Sequence, residues 1–179
     1  MADCKIRCVF FSLIGEAKGA DLVLDIVSDL PKVEFHFYGP IEKNFEHRFI
    51  NTISELPNVE YHGIFDSVNG DVTTELNKYD IHLLPTKWPD EGIPGVLVET
   101  MMAAVPSIVS DCCYNAEIVE DGVDGVVLKE CSAESLRDTI SDLSADPFRL
   151  DEMKRAALAS AERFYIDQYV DMVVSMLAA

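Results

Sequence analysis

The sequence predicts an α/β fold, built as a parallel sheet of about six strands flanked by helices and followed by an all-helical C-terminus. Short apolar runs alternate with stretches of helical period, which is the pattern of βαβ units. After Leu128 the remaining apolar stretches all have helical period. The chain has 179 residues, 49% of them hydrophobic, which is enough to bury one core.

The candidate strands are short and rich in Val, Ile and Phe, as expected for strands that helices cover on both faces. They are Ile6 to Phe11, Val33 to Tyr38, Val59 to Tyr61, Ile81 to Leu84, Ser107 to Val109 and Gly125 to Leu128. Since strands and helices alternate strictly, the sheet is expected to be parallel and Rossmann-like.

The candidate helices lie between these strands and after the last one. They are Asp21 to Leu30, Phe45 to Leu56, Val72 to Lys78, Val96 to Ala104, Asn115 to Glu120 and Ser135 to Leu143. Asp146-Pro147 then opens a helix to about Phe164, because Asp caps helices and Pro suits their first turn. An amphipathic segment from Asp167 to Leu177 follows, and residues 1–179 are interpreted as one domain. The apolar face of this segment is predicted to consist of Tyr169, Val170, Val173, Val174 and Leu177.

The composition favours a cytoplasmic protein that does not bind nucleic acid. Fourteen basic residues against 32 acidic ones give a net charge of −18, which opposes attraction to phosphate backbones. The five cysteines are odd in number and lack a Cys-x-x-Cys pair, so reduced thiols are expected. Cys112 and Cys113 are expected to be buried as small hydrophobes, with a place in the lining of the ligand cleft as the alternative. No stretch has the length of a transmembrane segment, and the opening residues lack a signal-peptide pattern.

The most informative segment is residues 84–102, which runs from a strand through a loop rich in Gly and Pro into a helix near Val96. In open parallel sheets, ligands bind at the carboxyl ends of the strands. Gly92 and Gly95 allow close approach of backbone N–H groups, and a helix N-terminus there suits a diphosphate. The segment therefore predicts an anion-binding site.

Two carboxylates bracket this loop. Glu99, in the first helical turns, is placed to accept hydrogen bonds from paired hydroxyls such as those of ribose, and Glu91 is placed to face a transferred sugar. From spacing alone, the alternative stays open that Glu91 is a solvated loop charge and that Glu99 complements the helix dipole.

These residues resemble a known family. Glu-Gly-Ile-Pro-x-x-x-x-Glu at 91–99, followed by Pro-Ser-Ile-Val-Ser-Asp at 106–111, resembles the Glu-x7-Glu signature of retaining GT-B glycosyltransferases of the family 4 type. Further similar segments follow the family's order along most of the chain, at residues 15–19, 38–40, 61–65, 80–85, 115–119 and 121–125. The resemblance is to the family's C-terminal, nucleotide-sugar-binding domain.

The resemblance implies a nucleotide diphosphate sugar as the donor substrate, with no cofactor and no metal required. It implies that Lys18 and Glu91 are the catalytic residues, with Lys18 at the diphosphate and Glu91 holding the sugar, and that Glu99 contacts the ribose. The remaining substrate-binding residues that it implies are Gly15, Gly39, Gly63, Ile64, Gly92, Ile93, Pro94, Gly95 and Val96. The sequence contains no Asp-x-Asp motif of the kind that binds divalent cations.

Two departures from the family concern function. Leu13 stands where the family usually has an arginine that shares the diphosphate, so the resemblance supports donor binding more directly than catalysis. Lys87 or Arg48 are alternative phosphate contacts. In the family an acceptor half normally precedes the donor half, whereas here the resemblance to the donor half begins almost at Met1. We therefore expect either an excised domain, whose partner is an N-terminal acceptor-binding domain, or a chain that works beside a separate acceptor subunit. The last helix, about 167–179, is expected either to pack against that partner or to cover its own domain.

The leading hypothesis is the donor half of an enzyme that moves a hexose from a UDP- or GDP-sugar to a glycan or lipid-linked acceptor in polysaccharide biosynthesis. Membrane contact is expected only at the inner face, through the acceptor domain. The alternative is a non-catalytic nucleotide-sugar-binding module or a split-enzyme subunit. A flavodoxin-like signalling domain is disfavoured, because no acidic cluster ends the first strand.

Overall fold

The computed structural model describes residues 5–177, apart from the side chains of residues 168 and 171–173. Six parallel strands form one sheet in the order β3-β2-β1-β4-β5-β6. Their bounds are β1 Ile6–Phe11, β2 Val33–Tyr38, β3 Val59–Tyr61, β4 Ile81–Leu84, β5 Ser107–Ser110 and β6 Gly125–Leu128. The predicted fold and strand positions are confirmed, with β5 one residue longer than expected.

The helices pack on both faces of the sheet. They are α1 Ala20–Ile26, α2 Glu46–Ser54, α3 Val72–Leu76, α4 Gly95–Met102, α5 Asn115–Ile118, α6 Ala133–Ala145, α7 Pro147–Ser160 and α8 Asp167–Leu177. The predicted helix from Asp21 to Leu30 instead ends as the 3-10 turn Val27–Asp29. Helix α6 begins earlier than predicted, because the Ser132 hydroxyl caps the Ser135 N–H at 3.2 Å.

Alternation along β1 divides the core into two layers. Phe10 packs with Phe37 of β2, which meets Phe49 of α2, while the neighbouring Val9 packs with Leu76 of α3 on the opposite face. Each fully buried phenylalanine contributes about 1.5–3 kcal/mol through the hydrophobic effect. Because both faces are covered, the strands read as continuous apolar runs instead of alternating ones.

The strand order reverses between β1 and β4, and this position determines where the site lies. Along the chain, the loops that follow β1 and β4 lead into α1 and α4, so both loops leave the same edge of the sheet beside each other. A crevice at such a switch point is the usual ligand site of open α/β sheets.

Helix α8 presents apolar side chains to solvent. Of the predicted apolar face, Tyr169, Val170, Val174 and Leu177 are exposed, the last to 83%. Val173 belongs to the same predicted face, but its side chain lies outside the described residues. Among residues 5–177, no helix is both long enough and apolar enough to cross a bilayer.

Candidate functional site

Two loops form the crevice, namely loop 1 (residues 12–19) after β1 and loop 4 (residues 85–94) after β4. Gly19 has a left-handed φ of 78°, and a Cβ atom there would lie 2.0 Å from the Pro85 carbonyl oxygen. The Lys87 N–H donates to the Ala17 carbonyl at 2.8 Å. Only a glycine at position 19 allows this close approach of the two loops.

The approach of the loops brings together the two residues predicted to be catalytic. Lys18 Nζ lies 2.5 Å from a Glu91 carboxylate oxygen, and the two side chains are only 20% and 11% exposed. The buried hydroxyl of Thr86 donates to the same oxygen at 3.0 Å. The ammonium and the carboxylate therefore face each other across the crevice, 73 positions apart in the chain.

A cavity of about 360 Å³ opens beside these loops, and we name it the Glu99 cavity. Four residues predicted to bind substrate line it, namely Gly39, Ile64, Val96 and Glu99, together with the aromatic rings of Phe11, Tyr38 and Phe65. Burial raises the pKa of Glu99, and no hydrogen bond or opposite charge in the described part of the chain counters that rise. The carboxylate is thus left free to accept hydrogen bonds from a ligand.

Gly39 and Gly63 hold one wall of the Glu99 cavity. Gly39 has a φ of 132°, and a Cβ atom there would lie 1.9 Å from the Ser12 carbonyl oxygen. Its N–H donates to the Gly63 carbonyl at 2.8 Å, which joins the ends of β2 and β3. Ile64, which follows Gly63, is 70% exposed at the cavity. Gly39 is therefore required for packing at the cavity wall.

The beginning of α4 leaves backbone N–H groups open. Pro94 precedes the helix and provides no side-chain cap, and Cβ atoms built at Gly92 and Gly95 would meet nothing within 4 Å. Ile93 between them is 61% exposed. The first N–H groups of a helix have no partner within the helix, so this end can bind an anion.

Three other residues predicted to contact the substrate, Gly15, Lys87 and Arg48, already have other contacts. Gly15 is buried, and a Cβ atom there would overlap the Glu42 carboxylate, so its surroundings favour a packing role. The two alternative phosphate contacts already have carboxylate partners: Lys87 pairs with Asp21 at 2.7 Å, and Arg48 pairs with Asp25, also at 2.7 Å. Leu13 lines the Glu99 cavity and is 37% exposed.

The prediction for the neighbouring cysteines was wrong in part. Cys113 is exposed and Cys112 is half-buried, because both thiols face the carbonyl oxygens of Trp88 and Pro89 in loop 4 instead of the core. Burial is still the first cause that raises the pKa of Cys112, to about 11, so its thiol is protonated at neutral pH. Trp88 itself is 45% exposed.

Sequence reasoning missed Thr86 and the lining role of Leu13. Thr86 is 1% exposed, accepts the Trp88 N–H and orients the Glu91 carboxylate. Its position directly after a buried strand, at the binding edge of the sheet, is the signal that could have identified it.

The part of the chain that contains the crevice is similar to known proteins. The family model "Glycosyl transferases group 1" matches residues 5–161. An exopolysaccharide phosphotransferase of Streptomyces coelicolor is 32% identical over 114 residues, which is 60% of this chain and 12% of that protein.

Solved structures share the fold. HepE of Anabaena, solved with UDP and glucose, superposes with a TM-score of 0.84 at 19% identity over 97% of this chain and 48% of its own. Sucrose-phosphate synthase of Thermosynechococcus elongatus gives 0.81 at 16% identity over 99% and 47%. The C-terminal domain of the group 1 glycosyl transferase LpcC of Francisella tularensis gives 0.76 at 15% identity over 88% and 85%. This chain thus spans about half the length of the first two, and its GT-B-like α/β fold is confirmed.

Proposed function

This chain belongs to the glycosyl transferases group 1 family, and from that premise we propose that it is the donor-binding domain of a retaining glycosyltransferase of the family 4 type. The donor is a nucleotide diphosphate sugar, with a UDP-sugar as the first candidate because HepE was solved with UDP and glucose. Transfer of the hexose to a glycan or lipid-linked acceptor requires an acceptor-binding domain or subunit. The exopolysaccharide role of the Streptomyces relative supports a place in polysaccharide biosynthesis.

The observation that carries the proposal is the pairing of Lys18 with Glu91 beside the Glu99 cavity. One cation, Lys18, two carboxylates, Glu91 and Glu99, and an open helix N-terminus lie along a crevice at the switch point of the sheet. A nucleotide diphosphate sugar carries complementary groups, namely a ribose diol, a diphosphate and sugar hydroxyls. Glu99 accepts from the ribose, Lys18 binds the diphosphate and Glu91 accepts from the sugar.

Electrostatic stabilisation of the leaving group is the chemistry that these residues supply. Charge accumulates on the diphosphate as its bond to the sugar breaks, and Lys18 together with the N–H groups at the start of α4 lies where that charge develops. The crevice walls keep Lys18 at 20% exposure, which strengthens its interaction with an anion relative to bulk water. Thr86 positions Glu91 toward the sugar.

A second candidate is a module that binds the nucleotide sugar without transferring it. Leu13 favours it, because an apolar side chain stands on the cavity wall where the family usually has an arginine. The described Lys87 and Arg48 side chains are held by Asp21 and Asp25, so neither is free to replace that arginine. Loss of one donor to a developing oxyanion costs about 3–4 kcal/mol of transition-state stabilisation.

Calorimetric titration of the purified chain with UDP, GDP and ADP and their hexose conjugates tests donor binding. We expect saturable binding of one nucleotide, at least tenfold weaker in Glu99→Ala. Glu55→Ala is the matched control, since Glu55 is an exposed glutamate at the end of α2, at the opposite edge of the sheet. Absence of binding by all of the nucleotides would overturn the proposal.

Donor hydrolysis separates the two candidates. The chain is incubated with the conjugate that binds, and release of free nucleoside diphosphate is followed over time. Release above the uncatalysed rate that is lost in Lys18→Met supports the transferase domain. Tight binding without release, also in the presence of candidate acceptors, supports the binding module.

A further inference from the structure

A cluster of histidines and glutamates lies on β2 and β3, outside the crevice described above. His36 and Glu34 are alternate residues of β2, while Glu60 lies on β3 and His62 directly after it, so all four side chains point to the same face of the sheet. One ligand atom each from His36, Glu60 and His62 lies within 4.8 Å of the others. The cluster borders a cavity of about 250 Å³ lined by Glu34, His36 and Glu60.

We propose that His36, His62 and Glu60 bind one divalent transition-metal cation, with Zn²⁺ as the best match. Two imidazoles with one carboxylate are a ligand set that Zn²⁺ binds, with a fourth position left to water. None of these three residues lines the Glu99 cavity, and the inference does not rest on the proposed function.

The convergence of the ring nitrogens is the first argument. His36 Nδ1 lies 3.0 Å from His62 Nε2, His62 Nδ1 lies 3.7 Å from Glu60, and His36 Nε2 lies 3.9 Å from Glu34. Only the first of these contacts is within hydrogen-bond distance. A cation between the two facing nitrogens would be bound by a lone pair of each ring, beside the Glu60 carboxylate.

His36 is the buried member of the cluster, since its side chain is only 7% exposed. Its Nδ1 faces His62 Nε2 at 3.0 Å and the Glu60 carboxylate at 3.7 Å. The arrangement therefore favours a cation bound to Nδ1 of this ring.

The outer nitrogen of His36 is a second, independent observation. Nε2 is buried and has no hydrogen-bond partner among the described residues, and the Glu34 carboxylate lies 3.9 Å away. Metal-binding histidines usually donate their other ring N–H to a carboxylate, which fixes the tautomer. A small movement of Glu34 completes this arrangement and satisfies the unpartnered nitrogen.

The distances suit a tetrahedral cation. With metal–nitrogen bonds of about 2.0–2.1 Å, two imidazole nitrogens on one tetrahedral Zn²⁺ are about 3.3 Å apart. The nitrogens here are 3.0 Å apart, so an opening of about 0.3 Å accommodates the ion. Glu60 is 64% exposed and can rotate toward it, whereas stacking on Tyr38 at 4.4 Å between ring centroids holds the His62 ring in place.

The local charges leave Glu60 available. Lys5 and Arg7 both lie against Glu34, at 3.1 Å and 3.9 Å. Glu60 forms ion-pair contacts within 4 Å with the two histidines, and in the described residues no lysine or arginine neutralises it. Glu34 thus serves as the outer carboxylate and Glu60 as the ligand.

Titration of the chelator-treated chain with Zn²⁺ tests the site. We expect one ion per chain and affinity at least tenfold weaker in both His62→Gln and Glu60→Gln, with unchanged affinity in the control His47→Gln. His47 is an exposed histidine on α2, outside the cluster. Zn²⁺ should raise the Tm of the wild type and of the control but not of His62→Gln, since a ligand that binds the folded state stabilises it.

X-ray absorption at the zinc edge excludes binding by the thiols of Cys112, Cys113 and Cys131. Nitrogen and oxygen neighbours at about 2.0–2.1 Å are expected, whereas thiolate sulfur lies at about 2.3 Å. Absence of saturable binding, unchanged affinity in a folded His62→Gln variant, or a sulfur-dominated spectrum would each overturn the proposal.

Discussion

The two ends of the crevice differ in how far they are prepared for a ligand. The Glu99 cavity is open, lined by aromatic rings and glycine backbone, and its carboxylate has no partner among the described residues. At the other end, Lys18 and Glu91 already neutralise each other at 2.5 Å. A nucleoside can therefore enter a formed cavity, whereas a diphosphate sugar must separate an existing ion pair.

The Lys18–Glu91 ion pair determines which ligands can bind at its end of the crevice. Separating a mostly buried ion pair leaves two uncompensated charges, which is costly unless the ligand replaces both partners. A nucleotide sugar does so, since its diphosphate replaces Glu91 as the partner of Lys18 and its hydroxyls replace Lys18 as the partner of Glu91. A ligand with a diphosphate but no sugar satisfies only half of the pair.

We expect the largest effect from a glycine substitution in the wall of the Glu99 cavity. Gly39→Ala forces a Cβ atom to 1.9 Å from the Ser12 oxygen at a φ of 132°, so we expect a loss of about 3 kcal/mol in the free energy of unfolding. Gly95→Ala is the matched control, because open space surrounds it, and we expect unchanged stability. Urea unfolding measures both, and equal stability of the two variants would contradict the assignment of Gly39 as the packed wall.

Lys18→Met should weaken the binding of the diphosphate at the ion-pair end of the crevice. A charge-assisted hydrogen bond contributes about 1.5–3 kcal/mol, so we expect affinity for UDP to fall by about 10- to 100-fold while uridine affinity stays unchanged. Calorimetry measures both ligands. Lys87→Met, whose lysine pairs with Asp21 outside the pair, is the control. Equal losses for UDP and uridine would place Lys18 away from the diphosphate.

Glu99→Gln should weaken binding by about tenfold and yet stabilise the fold. Burial raises the pKa of Glu99, so the folded state binds its proton more tightly than the unfolded state. The contribution of Glu99 to stability is therefore present below its ordinary pKa of 4.5 and is lost as pH rises through the raised folded value. We expect the variant's Tm to exceed that of the wild type at pH 7.

The difference between the two Tm values should disappear near pH 4, because Glu99 is then protonated and as neutral as the amide. Scanning calorimetry across pH 4–8 measures it. A gap that is constant over this range would show that ionisation of Glu99 is not the cause.

Leu13→Arg should produce the smallest change, because it adds a group to a wall that is already formed. A guanidinium at the cavity is expected to strengthen UDP binding by up to about tenfold, through the bidentate phosphate contact that leucine lacks. Leu13→Gln, polar but uncharged, should change affinity little. If the arginine variant binds UDP no better than the glutamine variant, residue 13 does not reach the phosphates.

The fold was more predictable than the site. Strand bounds such as Val33–Tyr38 followed from apolar runs, because burial on both faces leaves an unambiguous pattern. The resemblance placed Lys18 and Glu91 in one site, but not in contact with each other: their ion pair depends on the approach of Gly19 to Pro85, 66 positions later in the chain. Local patterns do not encode such distant contacts.

Two left-handed backbone positions could not be predicted from local sequence patterns. Ala104, after the end of α4, occupies a left-handed position at a φ of 58° although it is not a glycine. Cys113 likewise adopts a φ of 54° and turns its thiol toward loop 4. Both depend on tertiary packing that overrides residue preference.

A crystal structure of the chain with UDP-glucose tests the central claim most directly, through the distance between Lys18 Nζ and the Glu91 carboxylate. The account predicts that this distance opens from 2.5 Å to beyond hydrogen-bond range. Lys18 should then lie at the diphosphate, Glu91 at the hexose and Glu99 at the ribose. An intact Lys18–Glu91 pair with the donor bound elsewhere on the chain would contradict it.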